Sequence, residues 1–471
     1  MTDLAPDTRV GSAAAEAAAD ARADVDAARP DASYARIARV ATPMVLSTVT
    51  GVGSQLVVMA LIGRMGEAAL YVRSVYTPIA FLFLAATTGL AVTLQVAVAQ
   101  SHGRGQDASI SAQAGSVARA GVLLYLLLGG ALVAGAGALG DAVRIAPGHS
   151  AEFHEFLLAM AGATLVGMLG ELSSSVLRGL GRTGVAAVVT GSYVALYLAI
   201  VAVVGVVLQA GLMAVPLAAA LAGVAELIAG MVFLIRGGIV RPAGLTGWQP
   251  RIPRQLVAIG LPVCMTLIVL CVVNLVLLRI VAPGGQVAVA GFTIGYTVQS
   301  VVITPAIGLG SAIGILMNHQ AAAGSARAAR GVFRRGMLLG ACAYLLAGIL
   351  APLLGGPLAG LLSRNPEIAS QARHYLDVVG PSFGATGVIL IVLTVLEQVG
   401  HAAFATKLNT GYFAVILAVG WIAADATHSV DGLYVTLAIG PFCSLATGLP
   451  WAWRAALTPR APHHEPAGET P

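Results

Sequence analysis

Twelve apolar runs, broken only by short charged or Gly/Pro-rich segments, leave this chain few ways to fold. A helix rising about 1.5 Å per residue needs about 20 apolar residues to cross about 30 Å of hydrocarbon. The runs lie near 36–62, 71–101, 113–139, 153–177, 184–209 and 213–235, then near 255–281, 287–318, 333–354, 372–396, 407–425 and 431–453. Only 10% of the residues are charged and 58% are hydrophobic, whereas a soluble domain carries about 25% charged residues. A cytosolic enzyme, a disordered chain and a coiled coil are thereby excluded. The 57 glycines suit close contact between membrane helices. The expected fold is an all-α integral membrane protein with twelve transmembrane helices.

The net charge of +5 points to topology rather than to nucleic acid. With an internal N-terminus, seventeen Lys or Arg residues, from Arg36 and Arg39 to Arg454 and Arg460, fall on the cytoplasmic side. Five fall opposite: Arg64, Arg73, Arg144, Arg364 and Arg373. This asymmetry predicts a multi-pass protein of the cytoplasmic membrane with both termini inside. The acidic, Ala-rich segment 1–34 has neither the basic start nor the apolar region of a signal peptide, and is expected to be a disordered cytoplasmic tail. Residues 456–471, including His463 and His464, are expected to be a second solvated tail. Cys264, Cys271, Cys342 and Cys443 have no metal-like spacing and are expected to be buried small hydrophobes.

Adding 219 to first-half positions lands on matching features in the second half. Pro43 maps to Pro262, Gly66 to Gly285, Gly89-Leu90 to Gly308-Leu309, Gly105 to Gly324, Leu177 to Leu396 and Gly181 to Gly400. The expectation is two six-helix lobes, 35–236 and 255–455, joined by a cytoplasmic linker, 237–254. Six is even, so the copies enter the membrane from the same side and are related by an axis along its normal. A cavity between the lobes is the natural place for substrate.

Pro43 in the first helix followed by IGRMG, GLAVTLQVAVAQSHGRG closing the second helix and VLRGLGRT closing the fourth resemble the multidrug and toxic compound extrusion (MATE) family. The second half repeats the order with GLPVCMTLIVL, VAPGG, residues 308–324 and LEQVGHA. The resemblance covers about residues 36–453. It implies a monomeric antiporter exporting organic, cationic or amphipathic small molecules while protons or sodium ions flow inward, with no other cofactor, no metal site and no catalysis. It also exposes departures. Val58 stands where many members carry an acid, Asn274 is the nearest polar residue to an acid often found in the seventh helix, and Glu397 replaces the Arg of the LRGxG pattern. Glu397 is expected to pair with Lys407.

An ion-coupled exporter needs a group whose neutralisation changes the energy of one conformation relative to the other. A carboxylate inside the bilayer fits, at a cost of about 2.5 to 3.5 kcal/mol. Of the 21 acids, most lie in tails, loops or helix ends, which leaves Glu171, Glu226 and Asp377 as ion-coupling candidates. Glu171 could equally anchor two helices by hydrogen bonding, and Glu226, among Ala222, Gly223 and Gly230, is the deepest. Asp377 follows His374 by three residues near the outer end, as a proton relay or a solvated pair. Gln55 and Asn274, paired by the offset, are candidates to line the substrate cavity with Tyr193, Tyr197, Tyr296 and Gln299; interhelical glue and an aromatic belt are the plainer readings. Arg279 is expected to snorkel to the outer interface. A flippase for an amphiphile is the alternative function, and a membrane-embedded enzyme a more distant one; no ATP-binding or hydrolase motif is present.

Overall fold

The computed structural model describes residues 34–135, 150–362 and 365–456, and among them every regular element is helical. The expectations for both tails, for His463 and His464, and for Arg144 and Arg364 fall outside these residues. The N-terminal half contains α1 (Tyr34–Gly63), α2 (Glu67–Gly103), α3 (Ile110–Ala134), α4 (Ser150–Gly179), α5 (Thr183–Ile200, extended by a π-helical stretch Val201–Val207) and α6 (Ala214–Arg236). The C-terminal half contains α7 (Leu261–Val281), α8 (Gly285–Ile303, continuing past Thr304 into Pro305–Ala322) and α9 (Ala326–Leu362). It ends with α10 (Pro366–Val379, then Phe383–Gln398), α11 (Ala402–Thr427) and α12 (Asp431–Thr447).

Ten helical stretches among the described residues are long and apolar enough to cross a bilayer. One of them, 251–322, has 72 residues and is divided into α7 and α8 by the turn Ala282–Gly284. Asp431–Thr447 with the bent segment Pro450–Ala456 supplies a further crossing. Twelve crossings result, as the apolar runs predict. Helix starts are set locally: at α10 the Asn365 side chain accepts the Glu367 N–H at 2.9 Å and Pro366 takes the first turn, where no amide donor is needed.

The repeat is visible in the backbone. Left-handed glycines occur at Gly66 and Gly285 (φ 121° and 83°), Gly105 and Gly324 (70° and 84°), and Gly181 and Gly400 (78° and 89°), each pair 219 residues apart. These are the turns between successive helices, where a Cβ would be strained. The lobe interface repeats too. A Cβ on Gly89 would come within 2.6 Å of the Gly260 carbonyl and Cys264 Sγ, bringing α2 onto α7. The equivalent Gly308 would meet Val45 at 2.9 Å, bringing α8 onto α1. Val45 and Cys264 are themselves 219 apart, so the two contacts are one contact seen twice about a pseudo-two-fold axis.

These contacts lie toward the face that carries Tyr34 and the inter-lobe linker, here termed the terminal face. Ile37, Val40, Ala41 and Met44 at the start of α1 pack into the core of the C-terminal half with Ile313 and Leu316, so the first helix is shared between lobes. The linker is docked on α3. Arg119 donates to the carbonyls of Leu245 (2.9 Å) and Gly247, while Ser111 and Ser116 accept the N–H groups of Arg241 (3.0 Å) and Gln249 (2.9 Å). Exposed Leu123, Leu126 and Leu127 on α3, and Leu345, Leu346 and Leu353 on α9, form the apolar outer surface a bilayer requires.

Candidate functional site

Small residues build the site by letting α4 and α6 touch. A Cβ on Gly223 would lie 3.0 Å from the Gly167 backbone, and one on Gly230 would lie 2.1 Å from Ser173 Oγ. With no side chain at those positions the helices approach closely, and the residue between them on α6, Glu226, is pressed against α4. Glu226 is only 4% exposed. Its Oε1 accepts hydrogen bonds from Ser174 Oγ on α4 at 2.9 Å and Thr190 Oγ1 on α5 at 3.2 Å. Counted along its helix from Arg236, the carboxylate lies about 15 Å below the terminal face.

Glu171 lies on the same helix as Ser174, within electrostatic reach of Glu226. It pairs with Arg178 two turns along α4, whose Nη2 also donates to Ser175 Oγ at 2.9 Å. The site therefore holds two carboxylates and one guanidinium. Glu171 has the ion pair, while the hydrogen-bond donors to Glu226 among the described residues are neutral hydroxyls, with the Arg178 charge in electrostatic reach and a cavity near them. That cavity, of about 120 Å³, lies between α1 and α5 and is lined by Leu46, Ser47, Thr50, Ala187, Thr190, Gly191 and Val194. Thr190 thus touches both the buried carboxylate and accessible space. An arrangement of this kind can take up one small cation, because an uncompensated carboxylate away from water is costly until a proton or metal cation neutralises it.

Glu171 and Glu226 are brought together; Asp377 is not brought to them. It is exposed near the opposite end of the molecule, with Arg373 Nε at 3.5 Å. The expected His374–Asp377 pair does not form: His374 Nε2 bonds Asp431 Oδ1 at 2.7 Å, since α12 begins beside it and offers a nearer carboxylate than its own helix does. Glu397 makes no ion pair with Lys407 among the described residues. It turns inward to the Thr266 hydroxyl on α7, which bonds Thr406 at 2.9 Å. The cysteines are also corrected: Cys342 and Cys443 are exposed on outward-looking helix faces, while Cys264 and Cys271 are half-buried, Cys264 against α2 with its Sγ donating to the Ala85 carbonyl at 2.9 Å.

The cavity candidates form two groups. Tyr193 and Tyr197 stack on α5 with ring centroids 5.9 Å apart, and Tyr193 is within electrostatic reach of both Glu226 and Glu171. In the other half Asn274 bonds its own helix at Leu270 O (3.0 Å) and the Tyr296 hydroxyl, while Gln299 accepts the Tyr375 hydroxyl. Gln55 is exposed on α1 and Arg279 is exposed near the end of α7. Reading the sequence misses Thr190, Arg178 and Gln95 as site residues. Arg178 stands in the VLRGLGRT motif, which was the available signal; Gln95, a lone amide in the apolar stretch of α2, is another.

Comparison with known proteins gives the same division of the chain. The family model MatE matches residues 43–204 and again 262–422, the second match starting 219 residues after the first. A mutant of the Vibrio cholerae MATE transporter VcmN superposes with a TM-score of 0.83 at 18% identity, over 89% of this chain and 95% of that one. A MOP superfamily transporter from Pyrococcus furiosus gives 0.81 at 14% identity, over 89% and 95%. A multidrug resistance MATE family transporter in an outward-facing conformation gives 0.82 at 14% identity, over 91% and 96%. At these identities the likeness is one of fold. Matched by the family model in both halves and by that fold along most of its length, the chain belongs to the MatE family of membrane transporters.

Proposed function

We propose that this transporter is a secondary antiporter of the cytoplasmic membrane, exporting organic, cationic or amphipathic compounds against an inward flow of protons or sodium ions. The observation that carries the reading is Glu226, buried between Ser174 and Thr190 beside a cavity, with no ion pair of its own among the described residues. A proton or a sodium ion fits such a group because either neutralises it and either is supplied by the membrane gradient. Glu171 is the second carboxylate of the site, and its pairing with Arg178 leaves Glu226 as the group to be filled.

The basic residues Arg236, Arg241, Arg251, Arg254, Arg327 and Arg330 cluster on the terminal face, which supports placing that face and both termini in the cytoplasm. The described lobe contacts lie toward it, so the conformation is closed to the cytoplasm, and transport requires those contacts to open. Both lobes belong to one chain, which supports a monomer as the working unit, moving its substrate without converting it. Tyr193, Tyr197, Gln55, Asn274, Tyr296 and Gln299 remain the proposed substrate contacts. The test is substrate efflux from proteoliposomes with an imposed proton or sodium gradient. Wild-type protein should accelerate transport only with one of the gradients, and Glu226→Gln should uncouple it; transport indifferent to both gradients would remove the reading.

A further inference from the structure

Between the lobes, near the terminal face, runs a buried line of amides that the coupling site itself does not use. Gln95 on α2 donates from Nε2 to Gln398 Oε1 on α10 at 3.0 Å, and both side chains are buried, 5% and 1% exposed. Gln398 is held in place because Asn318 on α8 donates to its backbone carbonyl at 2.8 Å. A second cross-lobe bond joins His319 Nε2 to the Gly179 carbonyl at 2.8 Å. The free oxygen of the Gln95 amide points back into its own lobe, where Arg178 Nε donates to it at 3.3 Å. The other end of that guanidinium holds Glu171. Carboxylate, guanidinium, amide and amide thus form one continuous chain from the acid site to the seam between the lobes.

The repeat shows that this chain is built on one side only. The offset places Gly314 at Gln95, Gln398 at Gly179 and Glu397 at Arg178. Each lobe supplies one amide where the other has a glycine: a Cβ on Gly314 would meet Gln398 Cβ at 2.4 Å, and one on Gly179 would meet the Gln95 carbonyl at 2.7 Å. In each half the glutamine packs against the glycine of its own lobe, and the two amides then meet across the seam. Among the described residues no guanidinium backs Gln398, since Glu397 stands at the position equivalent to Arg178 and turns to Thr266.

We propose that Arg178 is the positioning residue that reports the charge of the Glu171–Glu226 site to the Gln95–Gln398 latch. This rests on the reading that the Glu171–Glu226 site takes up the coupling ion. With both carboxylates charged, Arg178 is anchored at both ends and orients the Gln95 amide so that its N–H₂ group faces Gln398. When an ion neutralises Glu226, the guanidinium loses one of the two carboxylate charges that hold it in the site and withdraws from Gln95 toward water. The amide is then free to turn and the latch weakens, which allows the terminal face to open. The groups facing Glu171 are Arg178 and Ser175 on α4, Gln95 through Arg178, Glu226 on α6 and Tyr193 on α5. Those around the latch are His319, with Arg36 and Asp107 in electrostatic reach, and His102, which is bonded to Asp107 at 3.0 Å.

The test places spin labels at Ala108→Cys and Arg327→Cys, exposed on opposite lobes at the terminal face, in full-length protein whose four cysteines are replaced. The distance between labels is read in lipid nanodiscs by pulsed electron resonance, across pH and with and without sodium. Wild-type protein should shift toward the longer distance with proton or sodium, by about fivefold in population, the weight of one hydrogen bond in a two-state equilibrium. Arg178→Gln should lose that ion dependence, and Arg178→Lys should restore part of it. Gln95→Leu, which leaves the Glu171–Arg178 pair intact, should favour the longer distance under all conditions and keeps the proposal falsifiable if Arg178→Gln does not fold. An Arg178→Gln protein that still shifts with the ion, or a Gln95→Leu protein that behaves as wild type, overturns this proposal alone. A wild-type protein that never responds to either ion overturns the coupling reading with it.

Discussion

Glu226 is the central residue, because charge inside hydrocarbon is the costliest feature this chain carries and the hydrogen bonds it receives here come from two hydroxyls. Glu226→Gln keeps the shape and both hydroxyl contacts but cannot exchange an ion. Gradient-driven export should fall by about tenfold or more, since a fixed neutral group no longer shifts one conformation against the other. Substrate binding in detergent, measured by tryptophan fluorescence, should remain. Thr190→Val removes one donor, at a long 3.2 Å, and should reduce coupled export by less, about threefold to tenfold for a hydrogen bond of about 1 kcal/mol. Glu226 was legible in the sequence because depth in an apolar run and scarcity of acids both single it out. Its partners were not. Ser174 lies 52 positions from Glu226 and Thr190 lies 36, and only the packing of α4, α5 and α6 makes them neighbours. The same limit explains His374, whose i+3 neighbour on the helix was the visible candidate and whose true partner, Asp431, is 57 residues downstream.

At the scale of helices, the glycines decide which pairs meet. Gly230→Val would force a side chain into Ser173 and push α6 off α4, an overpacking cost of about 1–3 kcal/mol. Its melting temperature in detergent should fall and the site should loosen with it. Gly162→Ala, with open space around it inside α4, should not lower the melting temperature and should raise it slightly through better helix propensity. Gly285→Ala tests the turns instead: φ is 83°, so a Cβ there should cost about 1–2 kcal/mol without touching any neighbour. The helices and their repeat could be read in advance because apolar length and turn glycines are local properties. The seam could not. Gln95 and Gln398 are 303 residues apart and sit at non-equivalent repeat positions, so aligning the halves hides the pair that joins them.

For the whole molecule, the proposed antiport requires two lobes that pivot about shared contacts and turn a local neutralisation into movement across the membrane. Each charge moved through 100 mV contributes about 2.3 kcal/mol, enough for about a fiftyfold substrate gradient. The orientation is testable separately. In a cysteine-free background, His428→Cys should react with an impermeant maleimide added to intact cells, and Arg327→Cys only after the cells are opened. Both residues are exposed, at opposite ends of their helices. The most direct test of the central claim is ion flux in proteoliposomes, recorded with a pH- or sodium-sensitive dye while a panel of organic cations is added. The account predicts flux stimulated by substrate in the wild-type protein and absent in Glu226→Gln. Equal substrate-stimulated flux through both proteins would contradict it.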